Sequence, residues 1–600
     1  MSSNLLTIAE QSGFAETGRI EEVERLCAAM VQRWPDAVRS IEFGQSAEGR
    51  TLRALVVSRS GAHTPQALEE RGIPLLMLQA GIHPGESDGK DAGFIALREL
   101  LEDAAAPGVL EEIALLFVPA FNTDGHERVG RWNRPNQNGP EVTGWRTTAA
   151  NINLNRDYAK ADSPEMQSML VLIDEWDPLI SADLHVTDGA DFEPDVSIQV
   201  EPINQGDAEL HPSGIELRDA LIARLAQQGA LPLPFYPDLY ETDNPESGFV
   251  LTVYSPRFST GYFPQRNRFT VLVETHSWKP YAHRVKVMRN SIIGLAGLTR
   301  EHGAAWLRRA HAADARALHL GGTALTLDYK SGWREPAAAG KDIPGGKDAP
   351  AGKATPAGRD TPAGPETPAG ATMIDFRGYG YTREHSEISG GLVTSYDPET
   401  PAIWRVPYRD EIEPSLIVRA PALGYFIPRA YARLLSERLD CHGIITAPMP
   451  RPLDLQRLQQ FRASRVSFSK GPFEGRTRLA LAGEWEMLDR EIAVPALFVP
   501  IAQALARLVV ALLEPQAPDS FAAWGFFNAW FEQKEQLEPY VAEQIARELH
   551  DSDPAARAEF QRRLAADPAF AADAAARLEF FWRRHASWDR QLNCYPIFRA

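Results

Sequence analysis

The sequence predicts an α/β fold: a mixed, mostly parallel sheet with helices on both faces, followed by an α+β C-terminal region with a helical end. Four runs carry the first part of this reading: IPLLMLQA (73–80), IALLFVPA (113–120), PLISADLHV (178–186) and FTVLVETH (269–276). They are apolar along most of their length rather than on alternate residues, which is the pattern of strands covered on both faces. Stretches of helical period lie between them. One runs from near Lys90 to Leu101, and another is SPEMQSMLVLIDEW (163–176), opened by Ser163 as N-cap with Pro164 at the first helical position. Helices between strands imply crossovers, hence a sheet with parallel pairings and helices packed on it.

Six hundred residues exceed one core and divide into two domains, 1–315 and 316–600. The second opens on strand-like pieces, TALTLDY (323–329) and TMIDFRGYGY (372–381), and β-like pieces run to about residue 425. A helical end follows, including AWGFFNAWFEQKEQLEPYVAEQIARELH (523–550) and ARLEFFWRRH (576–585). Its aromatic stripe (Trp524, Phe526, Phe527, Trp530, Phe531) reads as core or interdomain packing. Between the two strand-like pieces the hexads GKDAPA, GKATPA, GRDTPA and GPETPA (346–369) offer almost nothing to bury, so residues 334–371 are expected to be a disordered insertion.

Composition excludes several classes. The chain is 44% hydrophobic and 24% charged, as soluble globular proteins are. Its net charge of −18 argues against a nucleic-acid partner, since phosphates require a basic face. The N-terminal residues carry neither a basic cluster nor an apolar leader segment. Cys27, Cys441 and Cys594 are too few and too scattered for a disulfide framework or a thiolate zinc site. The most apolar window, Val494 to Leu513, is interrupted by Pro495, Pro500, Gln503 and Arg507 and reads as a buried strand-turn-helix rather than a membrane span. A cytoplasmic setting without membrane attachment is expected.

Chemistry collects where the strands run out, the place where open α/β sheets bind ligands. His83 and Glu86 follow the first run, His185 ends the third, and Glu274 ends the fourth. Two histidines and one carboxylate form the tripod of a catalytic zinc and leave a position open for water, while a further carboxylate can take that water's proton. The chain offers His83, Glu86 and His185 for the tripod and Glu274 as the spare carboxylate, with one Zn2+ per chain. A long stretch of weak periodicity, 122–161, carries Arg131, Arg134, Asn155 and Arg156, donors suited to a carboxylate or an oxyanion.

With these residues in place the chain resembles the zinc metallocarboxypeptidases of the carboxypeptidase A type, also called funnelins. The matching pieces are HPGE (83–86), NTDG (122–125), NLNRDY (153–158), SADLH (181–185) and LVETH (272–276), in the family's order, over roughly residues 40 to 310. The tail is similar to those of large bacterial members with an added C-terminal domain. The resemblance implies a carboxypeptidase-like catalytic domain in which His83, Glu86 and His185 bind zinc and Glu274 is the general base. It implies that Asn155 and Arg156 grip the substrate's terminal carboxylate. Arg134 is the arginine expected at the oxyanion, with Arg131 the competitor. Tyr262 is the tyrosine expected to close over the substrate, with Tyr254 the alternative.

One departure concerns Asn153. The family often has an aspartate there, supporting the first zinc histidine, and a neutral amide lends that imidazole less charge. Asp519 and His442 in the C-terminal half read as structural polar residues, and Arg266 and Arg268 as solvated charges flanking a strand. The reading favoured is a peptide carboxypeptidase. An amidase or deacylase acting on N-acyl amino acids or cell-wall peptides uses the same residues. A non-catalytic peptide-binding module has no need of a metal tripod plus a spare base. Self-association through the C-terminal domain is left open.

Overall fold

The computed structural model describes residues 3–333, 372–448, 458–488 and 495–600. The hexad repeat, expected to be disordered, lies outside these residues. The strands of the first half are β1 (Val38–Gln45), β2 (Thr51–Val57), β3 (Leu75–Ala80), β4 (Ala114–Val118), β5 (Ile180–Val186), β6 (Val196–Glu201), β7 (Pro232–Leu233), β8 (Phe249–Val250) and β9 (Phe269–Thr275). All but β8 form one eight-stranded sheet in the order β1-β2-β4-β3-β5-β9-β6-β7. Pairing is parallel across β4-β3-β5-β9 and between β6 and β7, and antiparallel at β1-β2, β2-β4 and β9-β6. The predicted mixed, mostly parallel sheet is therefore present, and its parallel centre consists of the four apolar runs.

Both faces of this centre are buried, so alternate residues of a strand enter different cores. Leu76, Leu78 and Ala80 of β3 pack with Phe117, Ile180, Ala182 and Val271 against the helices Ile20–Arg33, Asp88–Leu101, His211–Gln227 and Tyr281–Ala317. Leu75 and Met77 face the other way, toward the helix Pro164–Trp176. That helix starts where the sequence places it: Ser163 Oγ accepts from the Met166 amide at 3.2 Å.

The second half supplies β10 (Ala324–Gly332), β11 (Met373–His385), β12 (Leu392–Arg409), β13 (Glu411–Arg419), β14 (Gly424–Ile427), β15 (Gln459–Phe468), β16 (Leu479–Met487), β17 (Leu497–Pro500) and β18 (Cys594–Arg599). β10 pairs with β13, β11-β12 form a long hairpin, and a five-stranded sheet runs β16-β15-β18-β14-β17. That last sheet adds strands after residue 425 to the expected helical end, and β15 and β16 escape notice because their outward positions are polar and charged. The helices themselves lie at Pro539–Ser552, Pro554–Ala566, Pro568–Ala572 and Ala574–Trp582. Among the described residues no helix is long and apolar enough to cross a membrane. The window read as strand-turn-helix supplies β17 and the buried helix Ala506–Leu513.

The two halves share a core. Met77, Leu116, Ile173 and Tyr262 lie in one apolar cluster with Leu325, Tyr425, Val509, Phe527 and Ile597. Trp524 and Phe527 are fully buried, so the aromatic stripe is packing. Arg266 and Arg268 are not solvated, contrary to expectation. Both are buried: Arg266 pairs with Asp174 at 2.9 Å, and Arg268 with Asp177 and Asp314. Burial offers these guanidinium groups carboxylates from the end of the helix Pro164–Trp176 and from the helix Tyr281–Ala317, which a linear sequence does not disclose.

One buried cation binds the strand ends to the loop beneath them. The Arg284 guanidinium, wholly inaccessible, donates to Asp88 Oδ2 at 2.9 Å and to the carbonyls of Asn138, Ser277, Lys279 and Gly139. Asp88 also accepts from Thr275 Oγ1 at 2.7 Å, which ties the end of β9 to the helix that follows Glu86. Arg284→Ala is expected to destabilise the protein by about 3–5 kcal/mol in urea unfolding, because Asp88 stays buried without its partner. Arg284→Lys should recover little of this, since an ammonium cannot reproduce the fork of five donors.

Candidate metal-binding active site

In-register parallel pairing aligns β5 and β9 so that His185 lies opposite Glu274. β3 runs beside β5, and the turn after it carries His83 and Glu86. The bend there needs a residue without a side chain: a Cβ on Gly85 would stand 2.3 Å from Arg134 Cγ. The four residues named from the sequence therefore meet at one edge.

His83, Glu86 and His185 are all buried, and each presents a ligand atom within 4.8 Å of the others. The imidazoles are oriented alike. His83 Nδ1 lies 3.0 Å from Glu86 Oε1 and His185 Nδ1 2.8 Å from Glu86 Oε2. Each far nitrogen faces an oxygen: His83 Nε2 lies 3.0 Å from Asn153 Oδ1, and His185 Nε2 3.1 Å from Asp183 Oδ1. The Asn153 oxygen can hold the proton on the outer nitrogen of His83, and the Asp183 carboxylate lies beside the outer nitrogen of His185, so that in the neutral tautomer with the outer proton each Nδ1 presents its lone pair inward. Two imidazoles and a carboxylate so arranged suit a divalent transition ion such as zinc.

Asn153 thus orients His83 through its amide oxygen, and the charge missing from that side is present on the other. Asp183 is itself held by Gln79 Nε2 at 2.9 Å and Ser259 Oγ at 2.6 Å. Burial pushes the His83 pKa down to about 4. Burial also opposes protonation of His185, but Asp183 and Glu86 outweigh it and carry this imidazole well above its usual value. Burial raises Glu86, yet His83 and Arg134 hold it well below the usual carboxylate range. Glu274 behaves oppositely. Burial, with Glu86 and Asp188 adding to it against His185, pushes it up to about 8, and its Oε2 has no hydrogen-bond partner among the described residues. A neutral carboxyl of this kind gains charge when a cation binds beside it.

Residues 23–190 match a family model described as zinc carboxypeptidase. This segment is similar to the zinc carboxypeptidase family. It contains all three candidate metal ligands and ends before Glu274. A carboxypeptidase B from Helicoverpa zea is 24% identical over 146 residues, which cover 23% of this chain and 33% of that protein. The chain thus spans about a third of the length of this relative. Among solved structures, a metallo-carboxypeptidase from Burkholderia cenocepacia is 17% identical, covering 47% of this chain and 69% of that one at a TM-score of 0.34. The carboxypeptidase A of Helicoverpa armigera is 18% identical, covering 50% and 75% at a TM-score of 0.33. Overlaps this loose carry no argument about the site.

A cavity of about 220 Å³ is lined by the three candidate ligands of this segment together with Glu274, Asn155, Arg156 and Arg146. Arg156 stacks over the Phe258 ring at 4.3 Å, and no carboxylate of the described residues reaches ion-pair distance of it. Burial, then the neighbouring Arg146 and Arg257, lower its pKa, so it is a cation short of an anion.

Two sequence expectations are redirected. Arg131 is exposed and paired with Glu141, away from the cavity. Arg134 lies beneath the metal site, with Nη1 3.0 Å from Glu86 Oε1 and Nη2 3.3 Å from the Val186 carbonyl. The arginine that lines the cavity is Arg146, 3.3 Å from Glu86 Oε1, in the same long loop but not singled out from the sequence. Its only signal was membership of that arginine-rich loop, which does not say which residue turns inward. Tyr262 likewise lies outside the cavity: it is fully buried, with its hydroxyl 3.0 Å from His442 Nδ1. Tyr254, the alternative, lines the cavity with Tyr236. The apolar helix Ser259–Gln265 turns Tyr262 toward the shared core, and Tyr254 precedes that helix.

His83→Ala or His185→Ala should abolish zinc retention in metal analysis of the purified protein, since two ligands are too few for a tight site. Asn153→Ala should weaken zinc by roughly 10–100-fold in chelator competition, the usual effect of removing a ligand's outer partner.

Proposed function

We propose that the protein is a zinc-dependent metallocarboxypeptidase that hydrolyses the C-terminal peptide bond of peptides. One observation carries the reading: a single cavity brings together three convergent metal donors, an unpartnered buried carboxyl and an arginine lacking an anion. Zinc held by His83, Glu86 and His185 would supply Lewis-acid polarisation of the scissile carbonyl.

The chain's own groups do the rest. Glu274 accepts a proton from the attacking water and returns it to the leaving amine nitrogen, so it must be a carboxylate at the start and regenerate as one. Arg146 donates N–H bonds to the carbonyl oxygen as negative charge grows on it. Arg156, with the Asn155 amide, receives the free terminal carboxylate as a two-point contact and fixes which bond lies at the reacting centre. Tyr254 and Tyr236 cover the ligand from the cavity wall and help exclude water.

Glu274→Gln keeps the side chain's size and removes its proton acceptor. Zinc content should match the wild type while turnover falls by about 10²–10⁴-fold. Loss of zinc in this variant would make Glu274 a ligand instead. Arg156→Ala should raise KM for free-acid peptides far more than for C-terminally amidated ones, because a bidentate contact is lost only in the former. Equal losses would move the reading to an endopeptidase, and faster cleavage of N-acyl amino acids than of peptides would move it to a deacylase. Arg146→Ala should lower kcat by about 10²–10³-fold with zinc retained, whereas Arg134→Ala should act on zinc affinity through Glu86.

A further inference from the structure

The cavity wall that faces a carboxylate is made of two segments of the first half, 153–156 and 254–260, and each is fastened by residues of 316–600. The Asn153 amide donates to Glu474 Oε2 at 3.1 Å. Glu474 adopts a left-handed backbone (φ 48°) that turns its side chain out of the loop between β15 and β16. The Arg257 amide donates to Asp519 Oδ2 at 2.9 Å, and the guanidinium groups of Arg257 and Arg478 lie 3.5 and 3.4 Å from Asp519 Oδ1. Asp519 is 1% exposed, and Arg478 in turn stacks over Trp524 at 4.0 Å. Asp519 was read from the sequence as a structural polar residue. It takes part in all three of these contacts.

What these contacts position is the residue pair that presents Arg156. Phe258, the neighbour of Arg257, lies under the Arg156 guanidinium at 4.3 Å and against the Tyr254 ring at 4.9 Å. The loop before it is held at its start by the second half as well: β8 pairs in parallel with β12, and the Leu251 amide donates to the Arg409 carbonyl at 2.9 Å. Its middle rests on the first half, where Gln199 and Gln205 donate to the carbonyls of Thr252 and Tyr254. Electrostatics act in the same direction. Arg257 and Arg146 both repel charge on Arg156, and Asp519 compensates the first while Glu474 acts on Arg156 directly.

We infer that residues 316–600 complete the substrate site: Asp519 through the Arg257 amide, and Glu474 through the Asn153 amide, are positioning residues that set Phe258 and Arg156 for a carboxylate-terminated ligand. The inference rests on the proposed role of Arg156. It assigns the second half a task in recognition, and it makes the affinity for terminal carboxylates, rather than the metal or the proton transfers, the property that the second half governs.

The test is direct binding on the full-length, zinc-loaded protein. N-acetyl derivatives of phenylalanine, leucine, lysine and glutamate, each as free acid and as carboxamide, are titrated calorimetrically against wild type, Asp519→Ala, Asp519→Asn, Glu474→Ala and Glu474→Gln. Zinc content and Tm are read on every sample. The expected result is a loss of about tenfold or more in free-acid affinity for Asp519→Ala, with carboxamide affinity changed less than about twofold and zinc unchanged. Asp519→Asn keeps an acceptor for the Arg257 amide and should fall between Ala and wild type. Glu474→Gln should restore most of what Glu474→Ala loses, since an amide oxygen still accepts from Asn153. In peptide hydrolysis the losses should appear in KM and leave kcat within a few-fold. Unchanged free-acid affinity in folded, zinc-loaded Asp519→Ala and Glu474→Ala overturns the inference. So does a parallel fall for acid and carboxamide, which marks a general loss of folded protein. If Asp519→Ala does not fold, the partly exposed Glu474 pair decides by the same criterion. Wild type binding acids and carboxamides alike would remove the role of Arg156 itself, a distinct failure visible before any variant is made.

Discussion

The parallel, in-register pairing of β3, β5 and β9 is the constraint on which the rest of the structure depends. Parallel strands point their carboxyl ends the same way, so residues at the ends of separate runs become neighbours. His185 and Glu274 are opposite one another in that register, and the turn after β3 places His83 and Glu86 beside them. A slip of one residue in β9 would send Glu274 to the other face and replace it with Val273 or Thr275. Apolar burial on one face prevents the slip, because Phe269, Val271 and Val273 all enter one core while Thr270 and Glu274 lie on the other.

Around that edge the protein places its charges so that burial and pairing oppose each other. Glu86 stays ionised because two imidazoles and Arg134 surround it. Glu274, a short distance along the same edge, has no hydrogen-bond partner for Oε2 and is driven toward its neutral form. Two carboxyl groups in one cavity are thereby pushed in opposite directions by environment alone, which is the separation that the proposed ligand and proton-acceptor roles require. The support of the two histidines is likewise unequal. Asn153 and Asp183 occupy the same position relative to their imidazoles, and only one carries charge.

The second half of the chain is joined to this arrangement by more than a linker. Its strands and helices share an apolar cluster with the sheet, and His442, unremarkable in sequence, lies between the Tyr262 hydroxyl and the Ala159 carbonyl. Lys160, fully buried, is paired with Asp157 and lies 5.5 Å from the centre of the Trp524 ring. Polar groups from both halves are thus satisfied only together, and a buried donor or acceptor left without its partner costs about 1–3 kcal/mol. Such contacts argue that the halves fold as one cooperative unit around the shared face of the sheet.

How much of this was legible beforehand follows from the range over which each signal acts. Strand and helix identity depends on local periodicity, so the four apolar runs and the helix opened by Ser163 could be read directly, and with them the sheet's mixed character. His83, Glu86, His185 and Glu274 could be named because strand ends in an open α/β sheet converge whatever the loops do. The long loop 122–161 resists the same reasoning: it contains five arginines, and only tertiary packing selects Arg146 for the cavity and leaves Arg131 with Glu141 at the surface. Tyr254 and Tyr262 differ by eight residues and by the helix that turns one toward the core. The partners of Asp519 and Glu474 lie some 260 and 320 residues away in the chain, and no local pattern records a contact at that range. Sequence by itself determined which residues are the candidates for metal and proton chemistry; only the folded chain decided which arginine and which tyrosine line the cavity beside them, because those choices depend on close packing between distant segments.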